Sequence, residues 1–175
     1  MKNMKVLGVF LALSLVVGAF AFSASAFDPP EFFMIVARGT PDEVRAAIAA
    51  GADVNELYTF NDEFTDIEMT PLFAAVGENA SLETVKILLE AGADVNFKIS
   101  VGAAGLINNT VLMTASGFNR NPEVIVALIE AGADMNVVTT NTHTGRTARA
   151  LDIARENRHL RNTEALRLLE ELTEE

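Results

Sequence analysis

Four carboxylates crowd one short stretch of the chain: Asp62, Glu63, Asp66 and Glu68. Oxygen-rich clusters of this kind suit a hard cation such as Ca²⁺. The stretch lacks the glycine and the roughly twelve-residue layout of a helix–loop–helix calcium site. A metal- or ligand-responsive binding module using this acidic segment is therefore the alternative reading, and no metal ligands are assigned. Other chemistry is sparse. The chain has no cysteine, and no Gly-x-Ser-x-Gly turn that would expose a serine nucleophile. Its two histidines, His143 and His159, stand 159 − 143 = 16 positions apart with no third ligand or base at motif spacing. No catalytic residues, no cofactor and no enzyme activity are expected.

Three further aspartates, Asp53, Asp94 and Asp134, recur for a different reason. Each sits in a repeated heptad: AAGADVN at Ala49–Asn55, EAGADVN at Glu90–Asn96 and EAGADMN at Glu130–Asn136. Apolar residues upstream fall on one helix face, as Leu82, Val85, Leu88 and Leu89 do. The glycine that follows (Gly51, Gly92, Gly132) stands where the helix must stop, and glycine accepts the left-handed conformation that caps the last carbonyls. The Asp and Asn then favour a turn by bonding their own backbone. The glycines are 92 − 51 = 41 and 132 − 92 = 40 residues apart. A fixed period in this range signals stacked supersecondary units.

A shorter helical pattern precedes each of these exits. Thr70-Pro71-Leu72-Phe73-Ala74-Ala75 opens one and Thr110-Val111-Leu112-Met113-Thr114-Ala115 opens another. Threonine suits the N-cap, and proline suits the first helical position, where its missing N–H is no loss. Short turns, Glu78-Asn79-Ala80-Ser81 and Asn119-Arg120-Asn121-Pro122, separate the two helices of each unit.

These residues resemble the ankyrin repeat: TPLFAA with VKILLEAGADVN, and TVLMTA with EVIVALIEAGADMN. The resemblance covers about Phe32–Glu175. It implies an all-α solenoid of four helix–turn–helix repeats, about 32–55, 69–96, 109–136 and 145–175, joined by β-hairpin fingers. The histidine the family places after Thr-Pro-Leu is Phe73, Met113 and, in the last unit, Asp152 here. Apolar packing is expected to replace its hydrogen bonds. His159 falls where the family has its inter-helix turn histidine and is expected to be structural.

The first residues read as an export signal. Lys2 and Lys5 precede an apolar run, Val6–Phe22, which is 17 residues long, short of the ~20 needed to span a bilayer. Ala24-Ser25-Ala26 then supplies small residues for cleavage before Phe27. The expectation is a cleaved signal peptide at 1–26 and one domain at 27–175, periplasmic or secreted, with no membrane insertion after cleavage. Acid is uneven along the chain: Phe27–Val138 carries 5 basic and 17 acidic residues, and Thr139–Glu175 carries 6 and 7. So acidic a body excludes nucleic acid as a natural ligand, since phosphate binding needs the opposite sign.

The resemblance implies ligand binding on the fingers and on the concave face made by the first helices. From each heptad asparagine to the next helix-starting threonine the chain takes 70 − 55 = 15, 110 − 96 = 14 and 147 − 136 = 11 residues. Against the family's pattern these are long fingers, and insertions in repeat proteins often map to the binding face. In the first finger Tyr58 and Phe60 alternate with Thr59 as in a strand, and Phe64 adds a third aromatic. The second, with Ile99 and Val101, reads as a hairpin turning at Gly102 and Gly105. The third carries His143. Fingers side by side could pair into a small sheet with an edge for a partner strand. Helix ends on the concave side offer Glu78, Asn79, Phe118 and Arg120. The expected function is non-enzymatic: a monomeric interaction scaffold in the cell envelope that binds an unknown protein partner through these residues.

Overall fold

A computed structural model describes residues 31–61, 66–77, 81–101, 105–173 of the chain. Its helices come in four antiparallel pairs: α1 (Glu31–Arg38) with α2 (Pro41–Ala49), α3 (Pro71–Ala75) with α4 (Leu82–Glu90), α5 (Val111–Phe118) with α6 (Pro122–Glu130), and α7 (Ala150–Glu156) with α8 (Glu164–Thr173). The first helices pack in one row, α1 on α3 on α5 on α7, and the second helices form a row behind them. One apolar core runs through all four pairs, from Phe33 and Val44 to Leu160 and Leu169. Between pairs the chain leaves as a hairpin: β1 (Tyr58–Asn61) with β2 (Asp66–Met69), β3 (Lys98–Val101) with β4 (Leu106–Thr110), and β5 (Thr139–Asn141) with β6 (Arg146–Ala148). Six strands among the described residues amend the all-α expectation. The long fingers supply enough backbone to pair, so the architecture is helix pairs plus antiparallel sheet.

The helix starts follow their sequence signals closely. Pro41, Pro71 and Pro122 each occupy the first turn. The Thr110 hydroxyl accepts from the Met113 N–H at 3.3 Å, and Asn121 Oδ1 accepts from the Glu123 N–H at 3.1 Å. Thr40 forms a reciprocal cap with Glu43, whose carboxylate accepts from the Thr40 N–H at 2.7 Å. Thr70 departs from expectation, because its buried hydroxyl makes no cap bond. The last pair starts at Arg149, whose N–H donates to the Asp152 carboxylate at 2.9 Å. Asp152 thus serves the helix start.

The repeated heptad does two things. First, it ends the helix. Gly51, Gly92 and Gly132 have φ of +102°, +89° and +87°, and nothing lies within 4 Å of where a Cβ would stand. Backbone conformation, not space, is what demands glycine here. Each glycine N–H bonds back to Ile48, Leu89 or Ile129, and the following alanine N–H reaches Ala47, Leu88 or Leu128, which satisfies the orphan carbonyls. Second, it ties one repeat to the next. Asn55 Nδ2 donates to the Gly92 carbonyl at 3.0 Å while its Oδ1 accepts from the Asp94 N–H at 2.7 Å. Asn96 does the same to Gly132 and Asp134, at 3.1 and 2.8 Å. The aspartates stabilise the turn itself: Asp53, Asp94 and Asp134 accept from the N–H of Asn55, Asn96 and Asn136 at 2.8 to 2.9 Å.

Apolar packing is expected at Phe73 and Met113. Phe73 and Met113 are fully buried. Phe73 meets Phe97 at the base of the second finger edge-on, with centroids 6.3 Å apart.

Substitution separates the contributions of these bonds. Asn96→Ala removes a two-bond bridge between repeats and should lower unfolding free energy by about 1 kcal/mol in urea titration, while Asn136→Ala, with no following Gly-Ala-Asp in the sequence, should change it little. The Thr40 N–H bond, then the Thr40 hydroxyl, holds the Glu43 carboxyl below the ordinary carboxylate value. A depressed folded value means the cap's contribution is present above the unfolded carboxylate pKa and fades as pH falls through the folded one. An NMR titration should place Glu43 below the ordinary carboxylate value, and Thr40→Ala, which removes the hydroxyl but keeps the backbone N–H, should raise it only part of the way.

Candidate protein-binding face

Finger geometry follows from the ladder below it. Three helix exits locked at a constant spacing launch three hairpins side by side, and β2 of the first lies alongside β3 of the second. Fingers two and three join into one antiparallel sheet in the order β3-β4-β5-β6, while the first finger remains a separate two-stranded sheet. At the β4–β5 seam Leu106 is opposite Asn141 and Ile107 is opposite Thr140. The Thr139 hydroxyl donates to the Ile107 carbonyl at 2.9 Å, and the Thr142 N–H donates to the Gly105 carbonyl at 2.7 Å. A Cβ on Gly105 (φ +64°) would run into the His143 ring, so glycine lets the tip of finger three lie against finger two.

Pleating sorts the side chains. Leu106, Thr139 and Asn141 face inward and are buried. Ile107 and Val138 face outward, 39% and 39% exposed, and they share the outer face of the sheet, because Ile107 pairs with Thr140 and Val138 lies two residues along from it. On the first finger Leu57 is 50% exposed. Leu57, Lys98 and Val138 occupy equivalent places, each two residues past a heptad asparagine, and all three are exposed.

The residues singled out from sequence distribute unevenly. Tyr58 is half-buried, its ring 5.1 Å from that of Phe33 on α1, so it turns inward where an exposed anchor was expected. Ile99 is 3% exposed and is a core residue, placed there by the inward phase of β3. Phe118 is half-buried against the core at the end of α5, and Arg120 beside it is exposed. His143 is exposed at the tip of the third finger. Phe64, Glu78 and Asn79 lie outside the described residues, as do the side chains of Phe60 and Val101. Asp62 and Glu63 of the acidic segment also lie outside them, and among the described residues no three His, Cys, Asp or Glu gather as a metal site would require.

Sequence reasoning missed the outward residues Leu57, Ile107 and Val138. The repeat register held the signal for two of them, since positions 57 and 138 align on the two-past-asparagine place. It also missed what fixes the concave side. Asn119, 1% exposed, donates from Nδ2 to the Val76 and Gly77 carbonyls at 3.2 and 3.1 Å, and its Oδ1 accepts from the Asn121 N–H at 2.7 Å. Asn157 repeats the arrangement one unit later, donating to the Ser116 and Asn119 carbonyls at 3.0 and 3.1 Å and accepting from the His159 N–H at 3.0 Å. A second asparagine ladder therefore ties the inter-helix turns together, and His159 belongs to that structural turn.

Residues 68–99 and 108–140 match the ankyrin-repeat family model; these segments hold the second and third helix pairs and only parts of the second and third fingers. Ankyrin repeats are interaction modules, generally non-catalytic, that mediate contacts between proteins. A search of curated proteins returns no match to this chain. Among the described residues no helix is long and apolar enough to cross a membrane.

The buried amide of Asn119 makes the sharpest mutational prediction. Asn119→Ala leaves two carbonyls without their donor and should cost about 2–3 kcal/mol in urea unfolding. Asn119→Asp, which keeps the shape but loses the donors and buries a charge, should cost at least as much.

Proposed function

We propose that this chain is an exported, non-enzymatic ankyrin-repeat scaffold that binds a partner protein across the outer face of its fingers. One observation carries the reading. Four large hydrophobic side chains are exposed among the described residues, Leu57, Ile107, Val138 and Leu172, and three of them stand one to a finger. Apolar groups held outward on a paired strand, as Ile107 is, or directly before one, as Leu57 and Val138 are, are presented at little further entropic cost, which suits an interface core. His143 borders the face as polar rim, Arg120 stands at the far, inter-helix end of the concave side, and the acidic body favours a partner with a basic patch and a salt-sensitive on-rate. A helix pair on either side of the matched segments supports a reading of four repeats. A cleaved leader at 1–26 would deliver the domain to the periplasm or the exterior.

Affinity capture with the mature chain as bait tests the proposal. Beside it runs a bait with Leu57, Ile107 and Val138 each changed to Ser, checked for retained helix by circular dichroism. A protein held by the first bait and reduced about tenfold on the second is the expected result. Equal capture by both baits would remove the fingers from the interface.

A further inference from the structure

The place two residues past each heptad asparagine holds Leu57, Lys98 and Val138 on the three fingers. All three are exposed, and the inward side chains next to them, Tyr58, Ile99 and Thr139, fix them on the outer face. The row therefore reads apolar, cationic, apolar. Lys98 forms no ion pair among the described residues. β2, which lies alongside β3, carries Glu68, exposed opposite Thr59 of the first finger.

Spacing decides what kind of segment can read this row. β3 and β5 are two strands apart in one sheet, so Lys98 and Val138 stand about 10 Å apart. Asn55 bridges to the second repeat as Asn96 bridges to the third, so the step from Leu57 to Lys98 is similar. An extended strand covers such a step in about three residues, and an odd step turns the side chain to the opposite face. A strand that met Leu57 and Val138 would turn away from Lys98. An α-helix covers the step in about seven residues, which are close to two full turns. Its side chains at i, i+7 and i+14 then point down together. Ile107 faces outward on β4, between β3 and β5, and so falls under i+10 or i+11. Charge fixes the middle position. A carboxylate at i+7 meets Lys98, a basic residue there is repelled, and a further carboxylate toward the first finger is repelled by Glu68.

We propose that the outer face of the fingers receives an amphipathic α-helix of the partner protein, laid across the strands, with one carboxylate at i+7 between apolar residues at i and i+14. Leu57, Ile107 and Val138 take its apolar side chains and Lys98 takes the carboxylate. The basic patch that the acidic body favours then lies elsewhere on the partner. This deepens the protein-binding reading and rests on it.

The test uses the whole chain labelled with ¹⁵N and titrated with a designed alanine- and glutamine-based helical peptide. The peptide carries leucine at i, i+10 and i+14 and glutamate at i+7, and a second version has lysine at i+7. The glutamate peptide should shift the amides of Leu57, Lys98, Ile107 and Val138 and weaken as salt is added. A spin label at one end of it should broaden the first finger, and at the other end the third. Lys98→Glu should weaken the glutamate peptide about tenfold and take up the lysine peptide instead, while Lys98→Arg should keep the original preference. No binding, equal binding of both peptides, or the same finger broadened from both ends would overturn the helix. The capture experiment separates the two ideas. A partner that survives Lys98→Glu but is lost with the Leu57, Ile107 and Val138 changes sinks the helix and leaves the finger face standing. Indifference to the finger changes sinks the face itself.

Discussion

One side-chain amide sets the geometry of the whole molecule. Asn55 and Asn96 each use both ends of their amide at once, the nitrogen on a glycine carbonyl and the oxygen on an aspartate N–H of the next repeat. A two-point bond fixes direction as well as distance. It determines how far apart successive helix exits stand and how they are turned, and therefore where each finger is launched. Neither end can be replaced by an aspartate or a leucine, since the site needs a donor and an acceptor in one planar group. The glycine before it is bound by the same constraint. Its carbonyl is the acceptor, and only its left-handed φ turns that carbonyl toward the neighbouring repeat while closing the helix behind it.

The second ladder, through Asn119 and Asn157, acts at the other end of the first helices. There the amides are buried and the accepting carbonyls belong to the neighbouring turn, so the bonds are shielded from water and individually worth more. In a repeat array, stability is approximately a sum of unit and nearest-neighbour terms. Ladders at both ends of the same helices stiffen the nearest-neighbour term against hinge motion between pairs. Apolar packing of Val85, Leu112 and Leu128 supplies most of the attraction, but it is non-directional. The amides give it a register.

Much of this architecture is legible in the sequence. The helix exits, the capping threonine at Thr110, the prolines at helix starts, the four helix pairs and the hairpin character of the fingers all follow from local rules about backbone conformation. The roles of individual finger residues are not legible there, and the reason is pleating. Side chains alternate faces with every residue, so a one-residue error in phase exchanges inside for outside. Aromatic identity suggests Tyr58 as a surface anchor. Its ring instead finds Phe33, because burying an aromatic yields more than exposing one, and its neighbour Leu57 is left outside. Ile99 falls inward by the same alternation. Asn119 is visible as a polar residue at a helix end, but its partners at Val76 and Gly77 lie in another repeat, and no local pattern reports a bond across that distance.

The two ladders also explain why the outer face of the fingers is available for binding at all. A long hairpin on an isolated loop would lower its free energy by collapsing its apolar side chains onto the nearest surface. Here the hairpin bases are held upright by the asparagine bridges, and the β4–β5 seam locks fingers two and three to each other. Inward positions of the pleat are already filled by Leu106, Thr139 and Asn141. Ile107 and Val138 therefore cannot reach the core without breaking the pleat, and their exposure is enforced by the backbone rather than tolerated by it. Exposure enforced in that way persists in the free protein. A partner then gains the burial of those groups without first having to order them, which is the condition under which a small apolar face can hold a protein.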